Sequence, residues 1–413
     1  MKNNRSTSVF NIAVFVAALG YFVDIYDLLL FTIVRKPSII ALHVTDPAGI
    51  LTASTKIINL QMVGLLIGGI IWGVLGDKKG RLSVLFGSII LYSIANIFTG
   101  FVQNVDQYAW ARFVAGLGLA GELGAGITLV SELLPKEKRG IGTSIVAGIG
   151  LSGAILAYFI YYYTKDWRIC YFIGGGLGFV LLILRISVAE SGMFKDVREQ
   201  NVVRGNFLMF FTNVARFKKY LKAILIGLPT WYCVGILINL SDRFAKELYG
   251  VNAIDSGRSI MFSYIGVSVG GICIGIISQW MKSRKKPLFL FYALTIISGI
   301  IFFSPLNNND ITMYLLCGAL GFATGFWAVF VTMGAEQFGT NLRATAATTI
   351  PNMVRGSLPL MNLLFKNLFQ DSWKWGIVKS AEYTGSIVII ITLIAAFFTE
   401  ETFNKDLNYV EEL

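Results

Sequence analysis

The segment Glu132-Leu133-Leu134-Pro135, with Arg139-Gly140 shortly after it, has a counterpart in the second half of the chain. The counterpart is Glu336-Gln337-Phe338-Gly339 with Arg343-Ala344 after it, roughly 200 residues further on. The acid and the arginine keep the same spacing in both copies. A repeat at this distance predicts that the chain consists of two similar halves.

Two shorter segments repeat at nearly the same offset. Gly73 to Asp77 corresponds to Gly275 to Gln279, and Asp166-Trp167-Arg168 corresponds to Ser372-Trp373-Lys374. Three repeats at one offset are not expected by chance. They predict two bundles of helices related by an axis along the membrane normal, with a central cavity between them.

Apolar segments of about 20 residues recur along the whole chain, and this length crosses the hydrocarbon core of a bilayer. The chain has 413 residues, of which 55% are hydrophobic and 14% charged, and its mean hydropathy is +0.66. A water-soluble fold could not bury so much apolar surface. We predict an all-α membrane protein with 12 transmembrane helices, at residues 9–34, 56–76, 83–102, 108–133, 140–163, 167–189, 221–242, 258–281, 287–304, 311–334, 344–369 and 376–399.

The distribution of basic residues predicts how the chain is oriented. With both termini on one side, the loops of that side hold about twice as many Lys and Arg as the opposite loops, which places the termini in the cytoplasm. We therefore expect a multi-pass protein of the inner (cytoplasmic) membrane. The polar stretch 190–220 is predicted to be a cytoplasmic linker between an N-terminal six-helix bundle, 1–189, and a C-terminal six-helix bundle with a short tail, 221–413.

Composition argues against several other functions. The net charge of +11 is carried by short loops, so it indicates topology rather than nucleic-acid binding. The four cysteines lie inside apolar segments and His43 is the single histidine, so no metal site, disulfide or bound cofactor is expected. We find no nucleophile elbow or phosphate loop, and therefore expect neither an enzyme nor a receptor. We expect a monomer in the bilayer.

The stretch Gly73-Val74-Leu75-Gly76-Asp77-Lys78-Lys79-Gly80-Arg81 resembles the loop signature that joins the second and third helices of major facilitator proteins. Leu82 stands where that family usually has another basic residue. Arg112, followed by Gly116 and Gly118, resembles the family's fourth-helix pattern. This resemblance implies the major facilitator fold over essentially the whole chain and a transporter that works by alternating access.

Within that superfamily, the sequence is similar to the metabolite:proton symporters, which carry organic acids, proline and betaine. Val23-Asp24-Ile25-Tyr26-Asp27 resembles that group's acidic-x-Tyr-Asp element, and the stretch from Arg112 to Gly140 resembles its fourth-helix block. The fifth helix has several glycines but lacks the proline that antiporters usually carry there. The resemblance therefore implies symport of a small metabolite with a proton.

Four ionisable residues of the first and fourth helices are candidates for proton coupling. A charge inside the bilayer costs about 2.5 to 3.5 kcal/mol on insertion scales, so it usually has a partner and a function. Asp24 and Asp27 lie on neighbouring faces of one helix, Arg112 begins the fourth helix on the same side, and Glu122 lies deeper. We expect Asp27, with Asp24 as the alternate, to exchange the proton beside Arg112; otherwise the pair only fixes helix packing.

The eleventh helix offers a candidate substrate site. Arg355 is the one cation well inside this predicted span, and Pro351 and Asn352 precede it. Pro351 should loosen the helix, and the planar guanidinium of Arg355 suits two hydrogen bonds to a carboxylate; alternatively, Arg355 bonds only to helix carbonyls. Polar or aromatic candidates in other helices, where aromatic residues more often serve packing, are Gln61, Trp231, Tyr232 and Trp327.

Asp77 lies at the cytoplasmic end of the second helix rather than in the cavity. There it could face the end of a neighbouring helix and hold that side closed, with Arg139 or Glu132 as its partner. The alternative is a solvated turn that serves topology. The candidates for such a latch in the two halves are Asp77, Arg81, Glu132, Arg139, Glu336 and Arg343.

These observations predict a secondary active transporter that carries a small anionic or zwitterionic metabolite together with a proton. Its partners would be that small molecule, protons and the lipid bilayer. The alternative is a facilitator or an antiporter for a sugar, an amino acid or a siderophore, in which the acidic pair serves packing or substrate contact.

Overall fold

The structure, a computed structural model, describes residues 12–135, 138–185, 204–250, 254–304, 309–406 and 408–411. Regular secondary structure in these ranges is helical. Eleven helical segments are long and apolar enough to cross a membrane. The span predicted at 344–369 is not among them, because that part of the chain is more polar and its helix is broken.

The N-terminal half provides six of these segments. In two of them a short irregularity divides the span into two helices, at Ala120-Gly121 and at Ser152. The helices are α1 (Ile12–Ala41), α2 (Pro47–Lys79), α3 (Arg81–Phe101), α4 (Val105–Leu119), α5 (Glu122–Leu133), α6 (Arg139–Leu151), α7 (Gly153–Thr164) and α8 (Trp167–Leu184).

The C-terminal half repeats this order with more interruptions. The helices are α9 (Met209–Thr212), α10 (Val214–Leu225), α11 (Leu228–Tyr232), α12 (Ser241–Tyr249), α13 (Ser256–Trp280), α14 (Lys285–Phe302), α15 (Asp310–Thr324), α16 (Trp327–Glu336), α17 (Arg343–Gly356), α18 (Leu358–Asn362) and α19 (Ile377–Phe397), with π-helical turns at Cys233–Ile238 and Leu363–Ser372.

The predicted linker 190–220 lies partly outside the described residues. Its described end contains α9 and the start of α10. The seventh membrane span therefore begins with α10 at Val214, before the predicted residue 221. The two domain boundaries stay a prediction.

Helix starts on one face of the molecule carry side-chain caps. Asn104 accepts a hydrogen bond from the amide of Gln107 at the start of α4, and Asn309 does the same for Thr312 at the start of α15. These two caps occupy equivalent places in the two halves. Such caps satisfy amides that have no partner within the helix.

Successive spans alternate in direction, so the loops fall on two faces. We call the face with the C-terminal residues 399–411 the tail face; it also carries the loops after α2, α5, α13 and α16. The hydroxyl of Tyr409 donates to the carbonyl of Gln337, and the amide of Thr340 donates to the carbonyl of Tyr409. The tail is therefore attached to the loop that leads into α17. The other face is called the opposite face.

The two halves pack tightly near the tail face. Helix α17 lies against both α2 and α5, and α13 lies against α6. A Cβ atom placed on Gly124 would overlap the backbone of Thr348, and one on Gly73 would press on Thr345. Only glycine permits this approach. Towards the opposite face the halves separate around a cavity of about 440 Å³.

Candidate functional site

Arg112 of α4 forms a buried network with α1 and α3. Its Nη1 donates to Asp27 Oδ1 at 2.8 Å and to Asn96 Oδ1 at 2.9 Å. Its Nη2 donates to the backbone carbonyl of Asp27 at 3.0 Å. Gln61 Oε1 lies 3.5 Å from Nε. The structure thus brings together Asp27 and Arg112 as predicted, and places Gln61 with them rather than with Arg355.

Glu122 of α5 is paired with Arg185, which follows α8. The Arg185 guanidinium donates to both carboxylate oxygens of Glu122 and to the backbone carbonyl of Leu85. The pair crosses α1 at Gly20, where a Cβ atom would overlap both side chains. The role of Glu122 in proton coupling stays a prediction, and its partner in the structure is Arg185. Arg185 was not singled out, although it lies inside the predicted span 167–189.

Asp24 lies between these two ion pairs, one helical turn after Gly20. Its side chain is fully buried, and neither carboxylate oxygen has a hydrogen-bond partner among the described residues. Of the charged groups around it, Arg355 exerts the largest electrostatic effect on Asp24, ahead of Glu122, Asp27 and Arg185. Among the described charged residues, the strongest electrostatic partner of Asp24 is therefore an arginine of the other half.

Arg355 of α17 is held by its own half. Its Nη1 donates to Asn352 Oδ1 at 3.0 Å, and its guanidinium lies 5.8 Å from the ring centre of Trp327. The Asn352 amide nitrogen donates to the carbonyls of Thr348, in the same helix, and Ala120, in the N-terminal half. Arg355 Nε has no hydrogen-bond partner in the ranges that the structure covers.

A small cavity lies beside Arg355 at the interface of the halves. Its volume is about 10 Å³, and it is lined by Arg355, Trp327 and Trp231, as the sequence predicted. The site is therefore contracted in this conformation. Tyr232, a candidate for the same site, lies elsewhere. Its hydroxyl donates to the carbonyl of Ala381 in α19, and its side chain lines a separate lateral cavity.

Asp77, in the N-terminal half, binds the C-terminal half at the tail face. Its carboxylate accepts hydrogen bonds from the amide of Ala344 at 3.0 Å, the amide of Thr345 at 2.8 Å and the hydroxyl of Thr345 at 2.6 Å. These residues form the first turn of α17, where an anion is favoured by the helix dipole and the free amides. Of the two partners suggested for Asp77, Glu132 is linked to it through Arg81, which lies 3.7 Å from the Asp77 carboxylate, and the side chain of Arg139 lies outside the described residues.

Glu132 connects arginines of the two halves. Its Oε1 lies 2.8 Å from Arg81 Nη2 and 3.0 Å from Arg343 Nη1. Arg81 also donates to the carbonyl of Thr340. All three charged side chains are fully buried. Four of the six latch candidates, Asp77, Arg81, Glu132 and Arg343, therefore lie together.

Glu336, the repeat counterpart of Glu132, stays within its own half. It pairs with Arg284 at 3.0 Å and accepts a hydrogen bond from the hydroxyl of Thr402. Arg284 was not among the candidate residues found from the sequence. Gln279 stands at the repeat position of Asp77. The repeat therefore keeps no carboxylate at this position of the C-terminal half, and the acid that binds the start of a helix in the other half belongs to the N-terminal half.

The family of the chain follows from its match to a family model. The model of the Major Facilitator Superfamily covers residues 9–358. The chain therefore belongs to the Major Facilitator Superfamily, which makes it a multi-span membrane transporter of small molecules and not an enzyme.

Two relatives illustrate the similarity. A metabolite transport protein of Haemophilus influenzae is 28% identical over 352 residues, which are 82% of this chain and 84% of that protein. The sialic acid transporter NanX of Escherichia coli is 25% identical over 358 residues, 83% of each chain.

A solved structure has the same fold. The proton:xylose symporter XylE aligns with a TM-score of 0.76 over 97% of this chain and 98% of that chain, at 16% identity. The prediction of a major facilitator fold, with 12 helices in two bundles, is thus confirmed.

Proposed function

We propose that this protein is a proton-coupled symporter that carries a small carboxylate or zwitterion by alternating access. The observation that carries the proposal is the relation between Asp24 and Arg355. Asp24 has no hydrogen-bond partner in the part of the chain that the structure describes, and Arg355 is the charged group there that acts on it most strongly. An acid of one half and an arginine of the other thus act on each other across the interface of the halves.

The other buried charges near α1 are already balanced. Asp27 pairs with Arg112, and Glu122 pairs with Arg185. Within the membrane an unbalanced charge is costly. In the empty conformation Asp24 and Arg355 therefore compensate each other.

A substrate carboxylate would compete with Asp24 for Arg355. The planar guanidinium offers two parallel donors to such a group. Once the substrate occupies Arg355, Asp24 would be an uncompensated anion, and binding a proton removes that charge. Substrate and proton then bind together. The proposal gives Asp24 the role that the sequence assigned first to Asp27, because Asp27 keeps Arg112 as its partner.

A relative supports the carboxylate class. The sialic acid transporter of Escherichia coli matches most of the chain, and its named substrate is a carboxylic acid. We further propose that the protein lies in the inner membrane with the tail face in the cytoplasm, because the loops of that face are rich in Lys and Arg.

Uptake by liposomes that contain the purified protein tests the proposal. Sialic acid, other carboxylates, amino acids and xylose are offered with and without an inward-directed proton gradient. Accumulation of a carboxylate should require the gradient. Asp24→Asn should abolish accumulation but keep exchange of substrate between the two sides. Arg355→Lys should reduce uptake about tenfold or more, because an ammonium lacks the two-point contact.

Arg168→Lys is the matched control, since the Arg168 guanidinium donates to the backbone carbonyl of Val102 and lies over the Trp167 ring at the opposite face, away from Arg355. It should transport normally. Accumulation that remains gradient-driven in Asp24→Asn would remove Asp24 from coupling. Preference for xylose, or uptake that ignores the gradient, would favour a facilitator or an antiporter.

A further inference from the structure

The cavity at the opposite face is lined by basic side chains of both halves. Its volume is about 440 Å³. Arg35 comes from the end of α1, Arg243 from α12 and Lys366 from the π-helical turn after α18. Amides also line it, from Asn59, Asn239, Asn362, Asn367 and Gln370. No acidic side chain of the described residues is part of this lining.

These cations do not belong to one basic surface helix. They project from three separate elements, and Arg243 and Lys366 are exposed at the rim. A topology signal does not account for them, because in the proposed orientation the opposite face is the one that disfavours Lys and Arg. Their convergence on a cavity therefore calls for another explanation.

The nearby acid does not cancel the positive charge. Asp242 forms an ion pair with Lys36 at 3.6 Å and acts electrostatically on Arg35. It balances one of the four cations Arg35, Lys36, Arg243 and Lys366. A cavity with apolar walls and charges of one sign focuses the field and raises the local concentration of the opposite ion.

The basic cavity leads towards Arg355. It shares Ile58, Asn239 and Leu358 with an adjacent cavity of about 20 Å³. That cavity shares Leu28 and Trp231 with the one beside Arg355. Three neighbouring cavities thus form a row from the opposite face to the central arginine. Side chains that line two of them separate each cavity from the next.

We propose that this basic cavity is an outer anion-binding site, which collects carboxylates before they reach Arg355. That the bound anion is the transported substrate rests on the proposed function. The preference of the cavity for anions does not, since it follows from the charges of its walls.

A cysteine at Asn59 tests the sign of the cavity directly. Asn59→Cys is treated with a negatively charged and a positively charged methanethiosulfonate reagent, and the two reaction rates are compared. Gln103→Cys, at an exposed residue of the same face, provides the reference ratio, and the parent protein provides the background of its own cysteines. The anionic reagent should be favoured at Asn59→Cys about tenfold or more over the reference.

Charge-neutralising variants provide the matched comparison. Arg243→Gln combined with Lys366→Gln should bring the rate ratio at Asn59→Cys close to the reference. Lys165→Gln, at an exposed lysine of the same face outside the cavity, should leave it unchanged. Equal ratios at the two cysteines, or no effect of the double variant, would overturn the anion site.

Transport then tests the link to the substrate. For a carboxylate found by the uptake assay, the double variant should raise KM several-fold and leave kcat unchanged, because the cavity acts before the central site. An unchanged KM would overturn the role in substrate supply. If no carboxylate is transported, the proposed function fails, while the reagent rates still decide whether the cavity binds anions.

Discussion

The two ends of the interface between the halves are held in different ways. At the tail face, the buried carboxylate of Asp77 accepts three hydrogen bonds from α17, and Glu132 joins Arg81 to Arg343. At the opposite face, the contacts across the basic cavity include the partly exposed ion pair of Lys36 and Asp242. Buried charged hydrogen bonds contribute far more than exposed ion pairs. Opening the tail face should therefore require the loss of specific contacts.

The largest effect is expected from Gly124→Val. A Cβ atom at this position would overlap the backbone of Thr348, which cannot turn aside as a side chain could. Overpacking of this kind costs about 1 to 3 kcal/mol or more, so the tail face should open in most molecules. Spin labels on Ser83→Cys and Lys218→Cys, exposed residues of the two halves, would report a longer distance.

Gly176→Val is the control for this substitution. A Cβ atom at Gly176 meets nothing within 4 Å, so the same change of side chain should leave the label distance unaltered. An unchanged distance in Gly124→Val as well would show that the two halves do not need this contact.

Asp77→Ala should have the next largest effect. Hydrogen bonds to a charged group contribute about 1.5 to 3 kcal/mol; the three that this change removes share one carboxylate and are not additive, because their donors bind water once the tail face opens. We expect the closed fraction to fall about tenfold or more, with a longer distance between the same labels. Asp77→Asn keeps one acceptor oxygen, so its closed fraction should lie between those of the wild type and Asp77→Ala. A wild-type distance in Asp77→Ala would contradict the latch.

The tail should depend on pH through Glu401. Burial opposes its ionisation, but hydrogen bonds from the Ser283 hydroxyl and from the amides of Arg284, Phe403 and Lys285 outweigh it and lower the pKa of Glu401 below its ordinary value of about 4.5. A lowered pKa stabilises the folded state above the unfolded pKa, and this stabilisation is lost as the pH falls through the folded pKa. Attachment of residues 400–406 should be constant from neutral pH to about 5 and weaken below 4.

Hydrogen exchange of that segment, measured against pH and corrected for intrinsic rates, tests this expectation. Glu401→Gln should exchange faster at neutral pH and lose the acid dependence. Identical exchange in the variant and in the wild type would show that Glu401 does not hold the tail.

The smallest effect is expected from Asp242→Asn at the opposite face. Exposed ion pairs contribute about 0 to 1 kcal/mol, and the Lys36 side chain is 60% exposed. Spin labels on Gln103→Cys and Lys374→Cys, both exposed, would report the distance across this face. The ratio of the two conformations should change by less than about fivefold. A shift as large as that of Asp77→Ala would remove the difference between the two ends.

Most of the fold could be predicted from the sequence because membrane helices are specified locally. Eleven of the 12 predicted spans correspond to long apolar helices in the structure. The exception, 344–369, contains Pro351 and Arg355 and is divided at Ser357 into α17 and α18. The polar residues of its first part, α17, are buried between the halves, where they do not meet lipid and so need not be apolar.

The charged pairs were predicted less well. Asp27 and Arg112 could be joined because both lie at similar depth in helices that flank one wall in this family. The pairs Glu122–Arg185 and Glu336–Arg284 could not, although they lie closer together in the sequence than Asp27 and Arg112 do, because nothing in the sequence indicates which way each of these side chains points. Asp77 and Thr345 are 268 residues apart, and a threonine offers no charge to search for.

The sequence by itself determined that the chain enters a bilayer, that its two halves repeat, and which ionisable side chains are placed within the membrane, because hydropathy and spacing are properties of each segment. The tertiary structure decided which charges pair, that Asp24 finds no hydrogen-bond partner among the described residues, and which face is closed. Those outcomes depend on how each helix is rotated about its axis. With about 3.6 residues per turn, that rotation is set by packing between distant segments, and no local pattern specifies it.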